Sequence, residues 1–184
     1  MIEQKGNQIH QELIDRCRAG DRVAQREIYR LYYKAMYSTC YRMINDQVEA
    51  EDIMQESFLA AFLKINSFKG EMSFGSWLKK IVINKTIDVL RSRKVKFEEI
   101  NEKNAGAVDY YEPEPEIPDE FLQIERIRNA MKSLPDGFRI VLSLSLFEGY
   151  DHEEIAMILK INESTSRSQL TRAKKKLAEI LKTR

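Results

Sequence analysis

Histidine, cysteine, proline and tryptophan are all scarce in this chain: its 184 residues hold 2 His, 2 Cys, 4 Pro and 1 Trp. Each shortage closes a class of explanation. Cys17 and Cys40 belong to no spaced motif, so a disulfide scaffold is not expected and a reducing, cytoplasmic setting is. With only His10 and His152 to add, the ligand spacing of a zinc site cannot be assembled, and neither a metal nor another cofactor is expected. No apolar run approaches the roughly 20 residues that a membrane helix needs. The first eleven residues are polar and mixed in charge, unlike a secretory leader. Strand-type alternation of apolar and polar residues is missing too. What remains is a chain of 43% hydrophobic and 32% charged residues, ordinary for a globular protein and long enough for one domain or two small ones.

The net charge of +1 conceals strong segregation. Residues 60–96 carry nine basic side chains against two acidic, residues 97–120 one against nine, and residues 160–184 eight against two. Two basic blocks flanking an acidic one favour a polyanionic partner such as nucleic acid. Solvated lysine faces give similar counts, so charge alone does not decide. The acidic block holds Pro113, Pro115 and Pro118, three of the four prolines. Proline removes an amide donor and disfavours helix at the preceding residue. The expectation is therefore an extended, flexible linker over 96–119 joining domains at 1–95 and 120–184.

Apolar spacing predicts helices over 8–19, 22–44, 48–66, 73–94, 120–133, 136–147, 151–159 and 163–181. Gly20-Asp21 supplies a stop and then an N-cap, Asn45-Asp46 the next break, and Ser73 a cap for the fourth helix. Met54, Phe58 and Phe62 recur at steps of four. The fold class is all-α, in two small helical domains.

The last two helices form a helix-turn-helix candidate. Asp151 can cap the first, with Glu154 at the capping-box position, and Asn162 can cap the second. Ile155, Leu159, Ile161 and Leu170 can supply the shared apolar contact, and Ala156 a close crossing. The second helix would present Ser164, Thr165, Arg167, Ser168, Gln169 and Arg172, types that reach base edges and phosphates from the major groove. Lys174, Lys175 and Lys176 follow as phosphate contacts. A plain helical hairpin shares the pattern, and Lys160 occupies the turn position usual for glycine. His152 and His10, with no partner ligand, read as surface residues.

The first domain carries two further stretches. Asp52, Gln55 and Glu56 stand at i, i+3 and i+4, on one polar face opposite much of the Phe58/Phe62 stripe. Such a face suits a basic protein partner better than DNA. Carboxylates on an open helix lack a pocket to tune them, so they are not read as catalytic. Between Phe68 and Lys94, lysines and arginines interleave with aromatic residues, and Trp77, Ile81, Asn84, Asp88 and Arg91 fall near one stripe. Charge for a backbone, with rings and an amide for unstacked bases, suits single-stranded nucleic acid. Trp77 and Phe74 also fit a core, and Asp88 reads as a structural partner.

These strings carry a resemblance. DQVEAEDIMQESFLAAF followed by FKGEMSFGSWLKKIVINKTIDVLRSRK resembles region 2 of bacterial sigma factors. Leu134-Pro135, Arg139 and then FEGYDHEEIAMILKINESTSRSQLTRAKKKL resembles region 4. Their order and the acidic linker resemble the compact extracytoplasmic-function (ECF) group, over roughly residues 10–180. The resemblance implies a protein without catalytic activity or small-molecule substrate that binds core RNA polymerase and directs it to promoters. By it, Asp52, Gln55 and Glu56 would dock on the β′ clamp. Lys69, Phe74, Trp77, Lys80 and Asn84 would capture the −10 element, and Arg91, Arg93 and Lys94 would hold its phosphates. The second helix of the helix-turn-helix, through Ser164, Thr165, Arg167, Ser168, Gln169, Arg172, Lys174 and Lys175, would read the −35 element, its domain seated on the β flap. The linker would pass near the active-site channel. An anti-sigma factor, membrane-bound for many family members, is a further partner implied only by the resemblance. Lys160 for glycine, Ser166 for an aliphatic residue and Gln169 for a basic one depart from the pattern and bear on −35 preference. The competing expectation is a helix-turn-helix regulator that acts without polymerase.

Overall fold

The computed structural model of the chain describes residues 9–93 and 119–182. Lys94 and the Pro-rich linker segment 112–118 lie outside the described residues. Among the described residues the regular structure is helical throughout, with no strand, and the chain divides into two compact units, Met1–Val89 and Leu90–Arg184.

The first unit contains α1 (Gln11–Arg18), α2 (Arg22–Ile44), α3 (Gln47–Leu63), a 3₁₀ turn (Ile65–Ser67) and all of α4 (Phe74–Ser92) except its last three residues, which fall in the second. Local chemistry sets most boundaries. Asp21 caps α2, its side chain accepting from the amides of Val23 (2.7 Å) and Ala24 (3.3 Å). Gly20 precedes it in the left-handed region, with φ 81°. Arg16 holds the Asp21 carboxylate at 2.7 Å, and its hydrogen bond, ahead of those two amides, lowers the Asp21 pKa. Asn45 ends α2 at φ 58°, and Asp46 caps α3 through the Glu49 amide at 2.9 Å. Ser73 caps α4, accepting from the Ser76 amide at 3.1 Å. α1 starts later than its periodicity predicts, because His10 sits at φ 69°, a conformation that cannot continue a right-handed helix.

α1 and α3 pack on α2. The core draws Ile14, Ile28, Met36, Met43, Met54, Phe58, Leu78, Val82 and Ile87 from all four helices, each at most 2% exposed. α4 meets α2 at Gly75, where an added Cβ would stand 3.0 Å from the Tyr32 ring. Further along α4, the Thr86 hydroxyl donates to the Val82 carbonyl (2.8 Å) beside Cys40 Sγ (3.4 Å). Burial pushes the Cys40 thiol up to about 11, so it stays protonated and inert.

The second unit contains α5 (Asp119–Lys132), α6 (Asp136–Leu142), a π-helical turn (Ser143–Phe147), α7 (His152–Leu159) and α8 (Glu163–Lys182). The single helix expected over 136–147 divides because the Glu148 amide reaches back five residues to the Ser143 carbonyl (3.2 Å). α8 packs on α5, α6 and α7 around Ala130, Leu134, Ile140, Val141, Leu144, Ile155, Leu159, Leu170 and Ala173. The capping box on α7 is complete: the Glu154 amide donates to Asp151 (2.8 Å) and the Asp151 amide to Glu154 (3.1 Å). Lys160 ends α7 at φ 56°, ψ 47°. A left-handed lysine is strained where glycine is not. Lys160→Gly is therefore expected to stabilise this unit by about 0.5–1 kcal/mol, the relief of strain less the extra freedom of the unfolded glycine chain. Urea denaturation followed by circular dichroism measures it, and a loss of stability would refute the strain argument.

Candidate nucleic-acid and polymerase interface

Three exposed surfaces gather the candidate residues. The first lies on α3, where burial of Met54, Phe58 and Ala61 turns the opposite face outward. Asp52, Gln55 and Glu56 are all exposed there, as the helical spacing predicts. Glu56 is ion-paired with Lys85 of α4. The face is not purely acidic. Val48, Leu59 and Leu63 share it and are 73%, 65% and 87% exposed. Steps of four, seven and four place Val48, Asp52, Leu59 and Leu63 within one narrow stripe. The spacing of Val48, Leu59 and Leu63 is visible in the sequence, but the polar trio alone does not point to them. Exposed leucines beside carboxylates mark a protein-docking surface more clearly than the carboxylates alone.

The second surface is the loop 68–74 with the outer face of α4. Lys69, Lys80 and Asn84 are exposed, and Trp77 is half-buried. Phe74 is not at this surface. It is 1% exposed, packed against Tyr32 (ring centroids 5.4 Å apart), Phe68 (5.4 Å) and Trp77 (5.5 Å), and serves as core. The expectation that Phe74 meets DNA is corrected accordingly. Arg91 is half-buried and Arg93 exposed at the end of α4.

The third surface is the outer face of α8. Ser164, Arg167, Ser168, Arg172, Lys174 and Lys175 are exposed, and Thr165 is half-buried. Arg167 is ion-paired with Glu163 one turn earlier. The Ser168 hydroxyl donates to the Thr165 carbonyl (3.0 Å), and the Thr171 hydroxyl to that of Arg167 (3.0 Å). Gln169 does not belong to this face. It is 3% exposed, and neither Oε1 nor Nε2 has a hydrogen-bond partner. With Ser166, Leu170 and Ala173 it forms the inward stripe, so it does not reach a base edge.

His152 is also reassigned. Its Nδ1 lies 3.0 Å from the hydroxyl of Ser166, itself fully buried, so it ties α7 to α8 instead of standing free. The two residues that depart from the family pattern within α8, Ser166 and Gln169, thus both face inward.

Among the described residues no helix is long and apolar enough to cross a membrane, and no cluster of three or more His, Cys, Asp or Glu side chains could hold a metal ion.

The chain is similar to known proteins along most of its length. Residues 28–95 match Sigma-70 region 2 and residues 124–177 match Sigma-70 region 4. The ECF RNA polymerase sigma factor SigW of Bacillus subtilis is 30% identical over 178 residues, covering 92% of this chain and 95% of that protein. The RNA polymerase sigma-H factor of Pseudomonas aeruginosa is 28% identical over 179 residues, 93% of each chain. In fold, the chain resembles the sigma factor RpoE of Bartonella quintana, solved in complex with the anti-sigma factor NepR, with a TM-score of 0.58 at 22% identity over 85% of this chain and 96% of that one. Regions 2 and 4 in this order define a sigma factor. The chain belongs to the ECF RNA polymerase sigma factors.

Proposed function

We propose that this chain carries core RNA polymerase to a set of promoters, using the three surfaces for three separate tasks. The α3 face, with Asp52, Gln55, Glu56 and the exposed Val48, Leu59 and Leu63, docks on the β′ clamp. Lys69, Trp77, Lys80 and Asn84 capture unstacked bases of the −10 element, with Arg91, Arg93 and Lys94 on its phosphates. Ser164, Thr165, Arg167, Ser168 and Arg172 of α8 read the −35 element in the major groove, with Lys174 and Lys175 on the backbone, while the second unit rests on the β flap. The linker passes near the active-site channel. The observation that carries this reading is the separation of an acidic and apolar face on α3 from the basic faces of α4 and α8, all exposed in one chain. A polymerase-independent regulator would have no use for the α3 face.

In this reading the chain does no covalent chemistry; phosphoryl transfer belongs to the polymerase. It works in the cytoplasm, where polymerase and promoter are. An anti-sigma factor, as in the Bartonella complex, is a partner we extend to this chain.

The test is transcription of a genome-fragment library by purified bacterial core polymerase, with and without the chain. Discrete start sites appearing only with the chain, sharing two upstream elements, are the expected result. No new start site with polymerase from the native host would overturn the reading. Strong salt-dependent binding of the free chain to duplex DNA would then favour the regulator.

A further inference from the structure

α1 lies ahead of the stretch that matches region 2, which begins at residue 28, yet its last residue grips the loop assigned to the −10 element. Ile14 and Cys17 anchor the helix in the core, 0% and 3% exposed, and it packs on both α2 and the 3₁₀ turn Ile65–Ser67. From that seat Arg18 Nη2 donates to the Phe68 carbonyl at 2.6 Å. Its Nη1 holds Asp15 Oδ1 at 2.7 Å, and Asp15 in turn receives Gln11 Nε2 at 3.0 Å. The guanidinium carbon lies 6.0 Å from the centroid of the Phe68 ring. Phe68, 2% exposed, meets Phe74 edge-on (centroids 5.4 Å apart, planes at 87°) and Trp77 at 5.5 Å. The far end of the loop is closed by Ser73, whose hydroxyl lies 2.8 Å from that of Ser76. Between these two pins stand Lys69, Gly70 at φ 80°, Glu71 and Met72.

We propose that Arg18 is a positioning residue for −10 capture: α1 braces the root of the loop through the Phe68 carbonyl and ring, holding Lys69 and Trp77 where an unstacked base must arrive. Extruding a base from the duplex has a cost that only a preorganised receiving site recovers. A guanidinium suits the task because its planar fork serves a carboxylate and a carbonyl at once while lying near an aromatic ring; an ammonium cannot do all three. This inference rests on assigning the −10 strand to the loop and α4.

The test uses holoenzyme made from the full chain and native core polymerase, transcribing a promoter library randomised across the −10 element. Arg18→Ala is expected to lower the preference for the best −10 bases roughly tenfold, less than the about 100-fold that a full 1 Å misplacement of a reacting group can cost. Core affinity should stay near wild type, because Arg18 lies outside the α3 docking face. Arg18→Lys should recover only part of the preference. Trp77, the sole tryptophan, reports the loop directly, and its emission should move to the red in Arg18→Ala. The inference is overturned if Arg18→Ala keeps the wild-type base profile while Asn84→Ala flattens it. It is overturned equally if core affinity falls in parallel with selectivity, which would make Arg18 merely structural. If neither Arg18→Ala nor Asn84→Ala alters the profile, the −10 assignment fails and this inference with it.

Discussion

Asp52→Arg is expected to weaken binding to core polymerase by about 100-fold, close to 3 kcal/mol at tenfold per 1.4 kcal/mol. Asp52 is exposed and lies in the middle of the α3 stripe, with Val48 on one side and Gln55 and Leu59 on the other. Reversal replaces an attraction to a basic partner by a like-charge contact at the centre of the interface, where a single residue weighs most. The fold should hardly notice, since surface substitutions away from caps and cores usually fall within about ±0.5 kcal/mol. Glu56 is a poorer probe because its loss also releases Lys85 of α4, changing two charges at once. Leu63→Asp tests the apolar half of the same surface. Leu63 is 87% exposed and contributes little to the core, so any loss of affinity there reports docking and not stability. Titration of labelled core polymerase with each variant, with thermal melts as controls, measures both. Binding of Asp52→Arg within twofold of wild type would remove the α3 face from the interface.

What was legible in the sequence was local. Asp21, Asp46, Ser73 and Asp151 each bond amides two or three residues ahead, so residue type and position sufficed to place the helix starts. Of the stripe at steps of four, Met54 and Phe58 are buried as the spacing predicts, while Phe62 is only half-buried. The failures have two causes. Phe74 opens α4, and whether it faced DNA or core was decided by Tyr32 on α2, forty-two positions away, which no periodicity reveals. Arg18 and Phe68 are fifty residues apart and meet only through the packing of α1 against the 3₁₀ turn. Gln169 is a different case. Its place with Ser166, Leu170 and Ala173 at helical spacing already put it on the inward face, but its polar side chain argued for the surface and outweighed the period. His152 reads from the sequence as a surface residue, and its hydrogen-bond partner, Ser166, belongs to the next helix.

Arg139→Met should cost the second unit about 2–4 kcal/mol and abolish transcription that depends on a −35 element. Arg139 is 4% exposed, and its Nη1 donates to the Leu134 carbonyl at 2.9 Å while Nη2 engages Asp136. It thereby ties the start of α6 to the turn that α5 enters. Methionine matches the aliphatic stem but offers no donor, leaving the Leu134 carbonyl unpaired beside a buried side chain. Asp136 is a lesser loss: its side chain is 43% exposed and rehydrates once the guanidinium is gone, so Asp136→Asn should cost under about 1 kcal/mol. A unit of this size holds only about 3–5 kcal/mol of stability, so the arginine substitution leaves much of it unfolded at working temperature. The α3 face and α4 up to Val89 belong to the other unit and should remain intact. The expected result is therefore a split: core polymerase still bound through α3 but more weakly for want of the β-flap contact, early loss of part of the helical signal in urea, and no start sites at promoters that need the −35 element. Full −35-dependent transcription by Arg139→Met would show that the carbonyl contact is dispensable and that packing of α8 alone holds the helix-turn-helix together.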